Sequence, residues 1–229
     1  MESHKPSTPL PDLPLARLSR RAFLKGTLAG GLMVTGSGFL SWLEALAKVQ
    51  AEYAMIIDAT KCVGCRACEL ACQERNHLAE GRSYIRILPR GTPEKRWFLP
   101  VQCQHCQKPP CAEVCPTRAT YTHETGVVLV NPKTCVGCKY CAVACPYDAR
   151  IFDEKTGLME KCWLCLDYVL GGGEPACVHA CILGARLFGR RDDPTSPVNE
   201  LIASGKAKPL HPEFGTRPGI LYYILPEEA

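Results

Sequence analysis

Apolar residues fall along this chain in short bursts parted by polar and glycine-rich stretches, and only one burst is long. Residues 28–43 are mostly apolar but include Gly30, Gly31, Gly36 and Gly38. The run is weakly hydrophobic and shorter than the roughly 20 residues a membrane helix needs. The later bursts are the size of strands. YAMIID at 53–58 runs into the turn residues ATK, and GVVLV at 126–130 runs into NPKT. ARIF at 149–152 and GARLFG at 184–189 are two more short strands, and a further one is expected at 84–88. Residues 68–76 carry a helical pattern. The order strand, loop, helix, strand recurs, which predicts an α+β fold with long loops. After Arg190, DDPTSPVN and KPLHPEF read as an extended C-terminal tail with one or two helical turns. The apolar run that closes it, 220–225, is far too short to cross a bilayer.

Cysteine separates these bursts. The 229 residues include 16 cysteines, 19 glycines and 19 prolines, a loop-rich composition whose order needs cross-links. The cysteines form four quartets with none left over. Cys62, Cys65, Cys68 and Cys72 have the spacing C-x2-C-x2-C-x3-C, and Cys135, Cys138, Cys141 and Cys145 repeat it before Pro146. Cys103, Cys106, Cys111 and Cys115 follow C-x2-C-x4-C-x3-C before Pro116. Cys162, Cys165, Cys177 and Cys181 follow C-x2-C-x11-C-x3-C. This is an internal fourfold repeat.

Three chemistries use so many thiols. Disulfides between cysteines two or three residues apart close tiny, strained rings, and secreted scaffolds do not space their bridges in repeated quartets. A zinc-binding interaction module prefers pairs of C-x2-C hooks around a tetrahedral ion, and a third cysteine at x2 suits it poorly. The iron–sulfur cubane fits best. Each of its four irons takes one thiolate, a C-x2-C-x2-C loop offers three, and the fourth cysteine points away to a second cluster. Pro116 and Pro146 lack an N–H and stop the helices that carry the fourth cysteine. Gln73 and Ile182 occupy the matching places in the outer quartets, so those helices are expected to run on. His105 and His179 lie between cysteines but complete no quartet. Trp163 and Tyr140 read as packing around the clusters. Lys61, Arg66, Lys139 and Lys161 flank ligands, where they either raise local potentials or are merely solvated charges.

Charge argues against a nucleic-acid partner. The formal net charge is +4, of which about +2 belongs to residues 1–47. Sixteen thiolates and four oxidised cluster cores bring the remainder to about −6. A nucleic-acid footprint needs a persistent basic patch. Gly171, Gly172 and Gly173 lack the strand-to-helix context of a phosphate loop and read as spacer. At the N-terminus, SRRAFLK at 19–25 precedes the long apolar run, and Ala45, Leu46 and Ala47 supply a small-x-small cleavage site. SRRAFLK resembles the twin-arginine export motif, a route for proteins already folded. Residues 1–47 are therefore expected to be the signal, with cleavage after Ala47 or retention as an anchor both open, and the chain to be periplasmic.

The whole pattern resembles the four-cluster electron-transfer (beta) subunits of the complex iron–sulfur molybdoenzymes. The resemblance runs from Tyr53 to the C-terminus through KCVGCRACELACQERN, CQHCQKPPCAEVCPTRAT, CVGCKYCAVACPYDARIF and KCWLCLDYVLGGGEPACVHAC. That family includes subunits of tetrathionate, polysulfide and dimethyl sulfoxide reductases and of formate-dependent nitrite reduction. The resemblance implies four [4Fe–4S] clusters. Their ligands would be Cys62, Cys65, Cys68 and Cys181; Cys162, Cys165, Cys177 and Cys72; Cys103, Cys106, Cys111 and Cys145; and Cys135, Cys138, Cys141 and Cys115. It implies two interleaved ferredoxin-like modules, an inner one at 101–150 inserted into an outer one formed by 53–100 and 151–190, with 191–229 as tail. It further implies a non-catalytic relay of single electrons, with no small-molecule substrate. The expected partners are an integral membrane quinone-interacting subunit on one side and a catalytic molybdopterin subunit, or a cytochrome, on the other.

Overall fold

The computed structural model describes residues 52–227; the paired arginines and the apolar run after them lie outside the described residues. The fold is α+β, with short helices and small sheets. Strand β1 (Tyr53–Asp58) is the centre of the largest sheet, antiparallel to β8 (Arg186–Arg190) and parallel to β9 (Leu221–Ile224). All six of its residues are buried, because its two faces serve two cores. Successive strand residues point to opposite faces. Tyr53, Met55 and Ile57 join the main core with Cys68, Cys72, Cys177, Leu221 and Tyr223. Ala54 and Ile56 join a second core with Val198 and Ala207.

Three two-stranded hairpins make up the other sheets: β2 (Arg86–Gly91) with β3 (Arg96–Val101), β4 (Thr120–Thr122) with β5 (Val128–Val130), and β6 (Ile151–Asp153) with β7 (Leu158–Glu160). The helices are α1 (Ala67–Arg75), α2 (Pro110–Glu113), α3 (Tyr140–Val143), α4 (Leu166–Leu170), α5 (Ala176–His179) and α6 (Pro197–Ala203). Helix α1 packs on α5, and α2 on α3. Among the described residues no helix is long and apolar enough to cross a membrane.

Two expectations need correction. The segment after Arg190 is more than an extended tail with helical turns. It supplies α6, which packs on β1 and β8, and strand β9. Leu221 and Tyr223 are nearly inaccessible there. Nor does α5 run on, although Ile182 replaces proline. It ends at His179, and the chain makes the turn that also follows Cys115 and Cys145. In each case the residue three places after the fourth cysteine has positive φ and donates its N–H back to that cysteine's carbonyl: Arg118, Asp148 and Gly184. Only α1 continues past its fourth cysteine, to Arg75. A shared turn, rather than proline, stops the other three.

Candidate metal centres

The first two cysteines of every quartet make the same hook. The residue just before the second cysteine is left-handed in all four: Gly64 (φ 73°), His105 (φ 47°), Gly137 (φ 65°) and Leu164 (φ 63°). Glycine adopts this conformation freely, whereas an L-residue loses roughly 1–2 kcal/mol. His105 and Leu164 tolerate it while almost wholly buried, at 0% and 1% exposure. Space is also tight at Gly137, where an added Cβ would lie 2.1 Å from the carbonyl oxygen of Gly157 in the β6–β7 turn. At Gly64 the obstacle is the Phe98 ring, a side chain that can swing aside. Gly137→Ala is therefore expected to destabilise by more than the roughly 1–2 kcal/mol of the backbone term. Gly64→Ala should cost less, and thermal melts of the two variants check the order.

The thiols gather across quartets, not within them. One cavity, of about 330 Å³, is lined by Cys72 of the first quartet and Cys162, Cys165 and Cys177 of the fourth. A second, of about 410 Å³, is lined by Cys62, Cys65 and Cys68 with Cys181. A third, of about 300 Å³, is lined by Cys135, Cys138 and Cys141 with Cys115. For the remaining four, burial pushes Cys106 up to about 12, and the charged neighbours that add to the shift include Cys103, Cys111 and Cys145. The helices explain the exchange. Cys68 and Cys72 lie one turn apart on α1, and Cys177 lies on α5 with Cys181 just beyond it, so packing α1 on α5 brings both pairs together. Packing α2 on α3 does the same for Cys111, Cys115, Cys141 and Cys145.

The four sets adjoin one another in succession. Cys68 of one set lies within electrostatic reach of Cys177 of the next, Cys162 of that set within reach of Cys103, and Cys141 of the last within reach of Cys111. All sixteen cysteines are free of disulfides. Eight are buried and only Cys65 and Cys138 are exposed, one in each end set. Burial holds most of the inner thiols above the ordinary cysteine range, Cys72 at about 11. Cys115 is the opposite case. Its slight burial acts upward, but the backbone N–H groups of Thr120, Thr117 and Ala119 and the Thr117 hydroxyl overcome it and hold the thiol low.

The side chains near the ligands sort clearly. Lys61 pairs with Asp58 at 3.2 Å, Arg66 with Glu69 at 3.7 Å, and Lys139 lies 3.8 Å above the Phe152 ring. Only Lys161 is buried, and its Nζ donates to the carbonyls of Cys162 (2.7 Å) and Val128. His105 accepts the Val128 N–H on Nδ1 at 3.1 Å, and burial keeps the ring neutral. His179 is exposed. Trp163 lines a thiol cavity and donates to Asn76, whose Nδ2 lies 3.6 Å from Cys72 Sγ. Tyr140, expected as packing, is 62% exposed. Sequence reasoning missed two buried arginines, Arg150 and Arg186, each of which stands among thiols and keeps one Nη2 without a hydrogen-bond partner.

These observations fit an iron–sulfur cluster better than a single ion. Soft thiolates are its donor set. Three of the pooled sets of four thiols each converge on one space. Arg186, which lines one of those spaces, keeps Nη2 without a hydrogen-bond partner and calls for an acceptor there.

Comparison with known proteins agrees with this chemistry. Residues 95–191 match the family described as 4Fe-4S dicluster domain. The sequence is 36% identical over 221 residues to a tetrathionate reductase subunit of Salmonella typhimurium, covering 89% of this chain and 87% of that protein. It is 38% identical over 185 residues to a polysulfide reductase component of Wolinella succinogenes, covering 77% and 95%. It is 41% identical over 150 residues to the thiosulfate reductase electron transfer subunit of Salmonella typhi, covering 62% and 78%. With most of its length aligned to such proteins, this protein belongs to the family of iron–sulfur electron-transfer subunits of respiratory reductases.

Proposed function

We propose that this subunit carries four [4Fe–4S] clusters in a row and relays single electrons between two partner subunits docked at its ends. The observation that carries the reading is the pooling of thiols from paired quartets, first with fourth and second with third. Cys62, Cys65, Cys68 and Cys181 hold the first cluster, and Cys72, Cys162, Cys165 and Cys177 the second. Cys103, Cys106, Cys111 and Cys145 hold the third, and Cys115, Cys135, Cys138 and Cys141 the fourth. This pairing makes two interleaved ferredoxin-like modules, with 101–150 inserted between the parts of the outer one. The clusters supply reversible one-electron chemistry. The chain's own residues fix their order, exclude water from the middle of the row and leave the end sites open.

Both ends carry apolar surface. Val63 (61% exposed) and Ile182 (90%) line the first site beside the exposed Cys65. Val136 lines the last site, and Tyr140 and Val143 stand on the helix of Cys141, beside the exposed Cys138. Exposed apolar patches mark contact surfaces, and they fit a membrane quinone-reactive subunit at one end and a catalytic, molybdopterin-bearing subunit at the other. The twin arginines Arg20 and Arg21 support a periplasmic location, reached by export with the clusters already installed.

Protein purified anaerobically from the periplasmic fraction is expected to contain about sixteen irons and as many acid-labile sulfides, four for each site. It should give paramagnetic signals at low temperature on adding dithionite. Zinc at about one ion per quartet, or far fewer irons, would refute the reading.

A further inference from the structure

Arg186 and Arg150 occupy equivalent places in the repeat. Each stands five residues after the fourth cysteine of its quartet, in CILGAR and CPYDAR. Both are buried, at 3% and 7% exposure. Arg186 Nη1 donates to Gln102 Oε1 at 2.8 Å and lies 3.7 Å from Cys177 Sγ and 3.6 Å from Met55 Sδ. The same side chain lines the cavity of Cys62, Cys65, Cys68 and Cys181. It therefore touches two thiol sites at once. Arg150 is placed in a similar way: its Nη1 donates at 3.4 Å to Oγ1 of Thr120, which lines the cavity of the fourth site, and it lies within electrostatic reach of Cys111 and Cys103 of the third site and Cys141 of the fourth. In each arginine Nη2 is buried with no hydrogen-bond partner.

A buried guanidinium needs nearby negative charge. Here its surroundings are sulfur, amide and hydroxyl, so the countercharge comes from the thiolates and what they bind. A fixed cation in a desolvated site favours whichever state of its neighbours is more negative. For a thiolate-bound iron–sulfur site that is the reduced state. Lys161 differs, because backbone carbonyls already occupy its ammonium group.

We propose that Arg186 and Arg150 are positioning residues for electrons, each shared by two adjacent iron–sulfur sites and holding the reduction potentials of both up. Arg186 serves the first and second sites, Arg150 the third and fourth. The proposal rests on the four-site reading above, and the two fail separately. An iron content well below sixteen in the unmodified chain overturns the site count and leaves no pair for either arginine to tune. Full iron with unresponsive potentials overturns the arginines' role alone.

The experiment is an anaerobic redox titration of the iron-loaded full chain, followed by electron paramagnetic resonance. Arg186→Gln is expected to lower two of the four midpoint potentials, each by at least a tenfold change in its reduction equilibrium, about 59 mV for one electron. Arg150→Gln is expected to lower the other two. Arg186→Lys and Arg150→Lys keep the charge and should return the potentials to within threefold of the unmodified equilibria. Glutamine variants that hold all their iron and shift nothing, or that shift all four sites alike, overturn the proposal. If the glutamine variants lose iron, the decision passes to unmodified protein labelled with 15N-arginine. Electron–nuclear double resonance of the reduced sites is then expected to find arginine nitrogen coupled to the electron spin, and no coupling at any site overturns the proposal.

Discussion

Removing iron from the holoprotein is expected to unfold most of it. The secondary structure is too slight to stand alone. Helices α2, α3 and α5 have four residues each, far below the roughly 12–15 at which an isolated helix becomes even marginal in water. Three of the four sheets are two-stranded, and such hairpins are marginal by themselves. These pieces meet through cysteines: Cys68, Cys72, Cys106 and Cys177 belong to the main core, Cys111 and Cys141 to a smaller one. Without iron the gathered thiols have nothing to hold them together, and the margin to lose is small, since an ordinary domain is stable by only about 5–15 kcal/mol. Arg150 and Arg186 add two buried cations deprived of countercharge. Metal binding and folding are then one equilibrium. After chelation under oxidising conditions, far-ultraviolet circular dichroism should lose most of its amplitude, and protease should cut the loops between quartets. The packing of β1, β8 and α6, lined by Ala54, Ile56 and Val198, is the part expected to resist longest. An iron-free chain that keeps its spectrum and melts cooperatively would contradict this account.

The quartets were legible in the sequence because a cluster site is written in spacing, which survives any uncertainty about the backbone around it. Strands β1, β5, β6 and β8 were legible for a related reason: each is a short apolar burst beside a quartet. The hairpin partners β3, β4 and β7 were not, since RWFLPV, TYT and LME carry little alternation and become strands by pairing. Strand β9 was hidden by distance, because its parallel partner β1 lies at the other end of the domain. The buried arginines show a different gap. A charge adjacent to a cysteine in sequence invites attention, yet Lys61, Arg66 and Lys139 engage Asp58, Glu69 and the Phe152 ring instead. The groups facing the thiols come from five residues further on, where the chain turns back after the fourth cysteine. The signal was present in the repeat itself, as Ala-Arg-aliphatic-Phe in both ARIF and ARLF.

Removing ligands two at a time is expected to expose the exchange between quartets. Cys115 follows Cys111 by four residues, yet it lines the cavity of Cys135, Cys138 and Cys141, while Cys111 stands with Cys103, Cys106 and Cys145. Cys115→Ala and Cys138→Ala should therefore each remove the same cluster, leaving about twelve irons of sixteen. The double variant should also leave about twelve, because two changes at one site do not add. Cys115→Ala combined with Cys65→Ala removes a cluster from each end of the row and should leave about eight. These positions suit the test because Cys65 and Cys138 are exposed and Cys115 is half-buried, so losing the end clusters spares the inner packing that holds the fold. If each quartet instead held its own cluster, Cys115→Ala and Cys138→Ala would add, and their double variant would fall to about eight irons. Iron analysis of three single and two double variants decides between the two connectivities, since only pooled thiols make Cys115 and Cys138, from different quartets, redundant.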